Sequence, residues 1–204
     1  MSRCAAVVLV AVTAGCVKLS QPAPAVRDYR LSYAPPTVTG DALPVTLGFG
    51  PLAIGAIYDR QSILYREDSY STGTYLRSRW AVNPAAMVAD LLVRDFSGSG
   101  AYGAVSQGLS LAPRDYQLGG EIEEIEEIET GDGCAAHLRL RMSLVRLRGA
   151  AGQPVLLNAS YAADESCACG DARALARAMS EALQQISTQL QRDVHAAIEK
   201  DRSG

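Results

Sequence analysis

The sequence predicts an α+β (mixed α/β) domain, one largely antiparallel sheet of about six or seven strands with two helices packed against it. Three observations carry that prediction. Residues 116–129 and 134–147 flank an Asp-Gly turn and match at fourteen residues each, as the two arms of a hairpin do. Asn83 and Pro84 open an apolar-faced stretch in the way a helix starts. From Asp171 onward, Leu175, Met179, Ala182, Ile186, Leu190, Val194 and Ala197 recur at three-and-four spacing, one face of a long helix.

The first element is not part of that domain. Arg3 supplies a small positive start, and Cys4–Ala14 is an apolar run of eleven residues. A spanning helix needs roughly 20, so the run fits the hydrophobic region of a signal peptide. Ala14 and Gly15 are small and directly precede Cys16, the arrangement of a bacterial lipobox, with Thr13 standing where an aliphatic residue is commonest. Residues 1–15 are therefore expected as a leader and Cys16 as the lipidated residue. Ordinary cleavage after Ala14 or after Ala25 is the alternative; the first would leave a thiol without evident use. Two or three acyl chains anchor stably. Val17 replaces the aspartate that often retains lipoproteins at the inner membrane, which favours the outer membrane. Residues 16–28, with "SQPAPAVRD", read as a short proline-stiffened tether, and 29–204 as a single domain.

Composition narrows the function classes. The chain has 204 residues, 48% apolar, with net charge −3; loss of Arg3 leaves 18 positive against 22 negative, or −4. That is enough chain for one real core, too apolar for disorder, and without the basic cluster of a nucleic-acid binder. No second long apolar segment follows the first.

Strands are expected at 45–55, 62–67 and 71–80, the first two separated by the turn-prone "YDRQ". The helix capped by Asn83 shows Val88, Leu91, Leu92 and Phe96 on one face and stops at "SGSG". In "GEIEEIEEIETGDG" the isoleucines at 122, 125 and 128 recur every three residues, a spacing that drifts around a helix. The turn that follows makes this stretch a strand, with a bulge where the isoleucine phase shifts. Its partner alternates Ala136, Leu138, Leu140, Met142 and Leu144 against His137, Arg139, Arg141 and Ser143. A further turn leads to the strand "VLLNASYAA" at 155–163.

The six glutamates of 121–129 read as a solvated strand face, with Glu124 and Glu126 near Arg139 and Arg141 across the hairpin. A cation site is disfavoured because carboxylates that hold calcium converge from loops. Of five cysteines, Cys134, Cys167 and Cys169 remain in the body, so one is left over or shared in exchange. Pairing Arg148 with Val155 places Cys134 opposite Cys169, which makes that disulfide the first choice and Cys167 the second. The "CAC" spacing with His137 is poor for zinc, and no metal or cofactor is implied.

No catalytic constellation emerges. The two histidines, His137 and His195, sit on polar faces, and no nucleophile elbow, phosphate loop or paired carboxylates are present.

"YRLSYAPP", "VTLGFGPLAIGAIYDRQSILYRED", "RWAVNP", "DYQLGGEIEEIE" and the alanine-rich terminal helix, in this order after the lipobox cysteine, resemble the ABC-type transport auxiliary lipoprotein family, which includes the paraquat-inducible protein C lipoprotein. "VNP" after Trp80 and the "CAC" loop depart from that pattern. The resemblance implies helices on one side of the sheet, similar to the N-terminal domain of the Tol system's B protein. It further implies a non-enzymatic outer-membrane lipoprotein facing the periplasm. Its expected partners are an MCE-domain protein and inner-membrane transporter components, together moving lipid or other hydrophobic molecules, and ring-like self-assembly is expected. Trp80, Tyr75 and Phe49 are the aromatic candidates for partner contact. A periplasmic small-ligand binder, or an assembly lipoprotein of a secretion or export system, is the alternative, with a hydrolase third.

Overall fold

The computed structural model describes residues 25–37, 40–108, 113–131, 133–148 and 154–204. Cys16 and the amino-terminal apolar run lie outside the described residues. Among the described residues, eight strands and two helices follow in the order β1 (Arg27–Tyr29), β2 (Leu43–Ile54), β3 (Ser62–Arg66), β4 (Thr72–Trp80), α1 (Pro84–Gly98), β5 (Tyr102–Gln107), β6 (Tyr116–Thr130), β7 (Gly133–Arg146), β8 (Val155–Cys167) and α2 (Ala172–Ser203). β1 takes the last two residues of the segment expected as tether.

β6 organises the sheet. One edge pairs with β7 along its length, and the other is shared, first by β2 and then by β3. β5 lies outside β2, β4 and then β1 outside β3, and β8 closes the far edge beside β7. The expectation of a largely antiparallel sheet is corrected: four of the seven strand pairings are parallel, and the sheet is mixed. The reason is that residue alternation reports which face is buried and is blind to strand direction. Consecutive strands β3–β4, β6–β7 and β7–β8 pair antiparallel, whereas every parallel pair joins strands separated by intervening elements, which local patterning does not report.

The expected bulge falls at Glu123. Ile122 pairs with Leu140, and Glu124 with Arg139, so one extra residue is inserted between them. The inserted residue reverses the phase of β6, and Ile122 and Ile125 both point into the core despite their three-residue separation. Ile128, opposite Ala135, lies on the other face.

Both helices pack against this sheet and touch one another, α1 over β2 and β5, α2 over β7 and β8. Asn83 caps α1 by accepting from the Ala85 amide at 2.9 Å, and Asp171 caps α2 by accepting from the amides of Arg173 and Ala174. The predicted stripe of α2 is buried from Leu175 to Val194, with Ile198 in place of the half-buried Ala197 as its last member. It covers Ala136, Leu138, Leu140, Met142 and Leu144 of β7. Each fully buried leucine contributes about 2 kcal/mol.

Candidate functional site

Where β3 and β4 run beside the second half of β6, a groove of about 660 Å³ opens next to the start of α2. Its walls include Tyr65, Tyr75, Leu76, Glu127, Cys169 and Gly170. Glu127 is 5% exposed, because the bulge turns it onto the helix-bearing face, across from Ala136. Its Oε2 accepts a hydrogen bond from the Tyr75 hydroxyl at 2.6 Å, and its Oε1 one from the Gly170 amide at 3.4 Å. The rings of Tyr65 and Tyr75 meet edge to face at 6.0 Å. The Tyr65 ring lies over Gly73, where an added Cβ would stand 2.2 Å from it and would have to displace the ring. Burial first, and Glu127 second, push the Tyr75 phenol well above its ordinary range.

A disulfide joins Cys134 to Cys169 at a Cα separation of 5.1 Å and forms part of the same wall. The register behind that pairing differs from the one expected. Val145, not Arg148, pairs with Val155, and a slip between Leu144 and Val145 sets Cys167 directly opposite Cys134. Cys169 reaches back to Cys134 from beyond the end of β8. Cys167 is a free, half-buried thiol whose sulfur lies 3.9 Å from Oε2 of Glu127.

The opposite face of β6 carries a separate ionic cluster. Arg66 Nε lies 2.8 Å from Glu126, while His137 places Nδ1 2.5 Å from Asp164 and Nε2 2.6 Å from Glu124. Of these contacts only His137 Nδ1 to Asp164 has hydrogen-bond geometry; His137 Nε2 and Arg66 Nε lie close to their carboxylates without it. The expected solvated glutamate face is corrected in part: Glu121 and Glu129 are exposed and Glu124 lies opposite Arg139 as expected, but Glu126 and Glu127 are buried. Glu126 is 2% exposed and lies opposite His137, and Arg141 pairs with Glu123. Arg66 of β3 and Asp164 of β8 come from outside the β6–β7 hairpin, distant in the chain and invisible to hairpin counting.

Of the three aromatic candidates for contact, the groove claims only Tyr75. Trp80 is 1% exposed and Phe49 5%, with the Phe49 ring against Phe96 at 5.2 Å, so both are corrected from surface to core. The two most exposed large apolar side chains among the described residues are Leu76 at 91% on β4, which lines the groove, and Tyr70 at 98% on the β3–β4 turn. Sequence alternation did not mark them, because the register shift between Ser62 and Leu64 breaks the phase of β4.

His195 shares a hydrogen bond with the carbonyl of Asp41 at 2.9 Å, and His137 is held by its carboxylates. Among the described residues, neither adjoins a hydroxyl or thiol nucleophile in the geometry of acyl transfer. Among the described residues, no group of three or more His, Cys, Asp or Glu side chains is arranged to hold a metal ion, and no helix is long and apolar enough to cross a membrane.

Residues 29–191 match a family model described as ABC-type transport auxiliary lipoprotein component. No curated protein matches the chain. Among solved structures, a DUF330 protein of Xanthomonas campestris shares the fold with a TM-score of 0.79 at 22% identity, covering 88% of this chain and 100% of its own. A hypothetical protein of Chlamydia trachomatis does so with a TM-score of 0.56 at 12% identity, over 76% of this chain and 98% of its own.

Proposed function

Because the chain belongs to the ABC-type transport auxiliary lipoprotein family, we propose that it is a non-enzymatic lipoprotein that holds the periplasm-spanning channel of an MCE-type lipid-transport system at the outer membrane. The observation that carries this reading is the continuous family match over residues 29–191. In the proposed arrangement Cys16 bears the acyl chains and the tether runs from it to the start of β1 at Arg27. Ten residues separate Cys16 from Arg27, the first residue of β1. Fully extended they reach about 35 Å, so the lipid would keep the domain close to the membrane surface. The mechanism is positional: acyl chains fix the height, and the domain presents its contact surface to the channel.

Leu76 and Tyr70 supply the apolar part of that surface, with the MCE-domain protein as the occupant and inner-membrane transporter components beyond it. A ring of several copies would present the patch repeatedly around one channel end. The test is the intact mass of membrane-extracted protein beside a Cys16→Ala variant, followed by crosslinking from the same cells. Acyl chains on Cys16 and an MCE-domain protein in the crosslinked product support the reading. An unmodified chain recovered without any envelope partner sinks it.

A second reading, a periplasmic small-ligand binder, draws on the groove itself. Its volume of about 660 Å³ lies within the size range of ligand pockets. An apolar ligand retained through purification and lost on Tyr75→Ala would favour that reading over docking.

A further inference from the structure

We propose that Cys167 is a second partner for Cys134, and that the Cys134–Cys169 disulfide exchanges onto it under the control of Glu127. The ladder supplies the geometry. Cys134 on β7 and Cys167 on β8 are directly opposed. Opposed residues in an antiparallel pair have side chains on one face and Cα atoms about 4.5–5.5 Å apart. That lies within the span a disulfide bridges without backbone movement, about 4.4–6.8 Å. The existing bridge spans 5.1 Å. Cys134 is therefore placed to bond either cysteine, and only the short segment after β8 must move for it to change partner.

The step conserves the number of disulfides and needs no oxidant. Cys167 gives its proton to solvent, and its sulfur attacks Sγ of Cys134. A Cys134–Cys167 bond forms as the Cys134–Cys169 bond breaks, and Cys169 leaves as a thiolate that takes up a proton from water.

Glu127 sets how readily this happens. It approaches Cys167 from β6, and its carboxylate is held in place by the Tyr75 hydroxyl from β4 and the Gly170 amide. Asp171, ahead of α2, adds a second negative charge. Burial first, then Glu127, push the Cys167 thiol up to about 11. At pH 7 roughly one molecule in 10⁴ then carries the thiolate, the attacking species. The Cys134–Cys169 pairing is thus held kinetically, by a carboxylate that also lines the groove.

Exchange would change that groove. Cys169 and Gly170 belong to its wall. Once Cys169 is released, the segment leading into α2 is no longer tied to β7, while the β7–β8 ladder stays intact. The pairing state is in this way coupled to the surface beside Leu76.

The experiment uses the full chain in oxidised form, incubated at pH 7 and pH 9, quenched in acid and labelled with N-ethylmaleimide. Tandem mass spectrometry then locates the label, which separates Cys167 from Cys169 and keeps Cys4 and Cys16 out of the readout. The expected result is label moving from Cys167 to Cys169, with an initial rate about tenfold higher for each pH unit. Glu127→Gln speeds the transfer at pH 7 by about threefold for each tenfold gain in thiolate, because a less basic thiolate is a weaker nucleophile. Cys169→Ser in a glutathione redox buffer is expected to bridge Cys134 to Cys167. Label confined to Cys167 at pH 9, with Cys134 and Cys167 both left free in Cys169→Ser, overturns the proposal.

Discussion

Ser187 on α2 donates a hydrogen bond to the wholly buried carboxylate of Asp95 on α1 at 2.7 Å. The same oxygen accepts from the Tyr33 hydroxyl at 2.7 Å, and the other oxygen accepts from Arg94 at 2.9 and 2.6 Å. Arg94 also lies over the Tyr33 ring, 4.6 Å from its centroid. One buried charge therefore ties the segment after β1 to both helices, and every partner is polar and satisfied.

That arrangement predicts an asymmetric response to mutation. Asp95→Ala leaves Tyr33 and Ser187 without an acceptor and Arg94 without its counter-ion, and should cost about 3 kcal/mol. Ser187→Ala removes one donor of several and should cost about 1 kcal/mol. Urea unfolding of both variants checks the order; equal losses would mean that Asp95 is not the hub.

The two adjacent glycines of β6 are predicted to behave differently. A Cβ on Gly120 would stand 2.1 Å from the Arg141 carbonyl oxygen and 2.7 Å from the Met142 sulfur. Gly120→Ala must push the hairpin arms apart and should lose about 2 kcal/mol or more. At Gly119 the nearest atom is the Pro51 carbonyl oxygen at 3.9 Å, ordinary contact. Gly119→Ala should stay within about 0.5 kcal/mol. Denaturant midpoints of the two variants measure the difference.

Stability is predicted to fall on the alkaline side. Burial, reinforced by Asp201, raises the Tyr116 phenol to about 12, and Cys167 stands at about 11. Tyr33, Tyr58, Tyr75, Tyr102 and Tyr161 are likewise pushed above their usual value, chiefly by burial. The folded state thus holds these protons more tightly than the unfolded chain. Their contribution is whole below the unfolded values, near 8.5 for thiol and 10 for phenol, and is lost as pH rises through the folded ones. Urea midpoints should be level near pH 8 and drop steadily above pH 10. A midpoint unchanged at pH 11 would contradict the assignment.

Leu76→Asp tests the proposed docking surface without disturbing the core. The side chain is 91% exposed, so its replacement should change stability by no more than about 0.5 kcal/mol. Crosslinking to the channel partner should fall several-fold, and Tyr70→Ala should act in the same direction. Unchanged crosslink yield in both variants would move the contact elsewhere on the domain.

The elements legible in the sequence are those whose signals are local. The Asn83 cap, the apolar stripe of α2 and the matched arms of β6 and β7 each follow from residues within one element or one turn. β1 and β5 escaped reading because they are short and carry no alternation; Tyr102–Gln107 buries only its first residue fully. The roles of Glu126 and Glu127 were hidden because what buries them is tertiary. Arg66 and Tyr75 arrive from β3 and β4, and the bulge at Glu123 decides which glutamate meets which. Trp80 and Phe49 show the converse, since an aromatic residue in a strand carries no mark of whether its face is inward.

The last prediction separates the two partners of Cys134. The bridge to Cys169 closes a sequence separation of 35, for which the chain-entropy model gives about 4 kcal/mol. Cys134→Ser removes every bridge in this corner and should lose about that amount. Cys169→Ser leaves Cys134 facing Cys167, and a bridge between them closes a loop of nearly the same length. Because the entropy depends only on the logarithm of that length, most of the stabilisation should survive under oxidising conditions and disappear when reductant is added. Urea unfolding of both variants, with and without reductant, reads this directly. Equal losses under oxidising conditions would mean that the opposed thiol does not substitute for Cys169, and that the ladder geometry alone is insufficient for exchange.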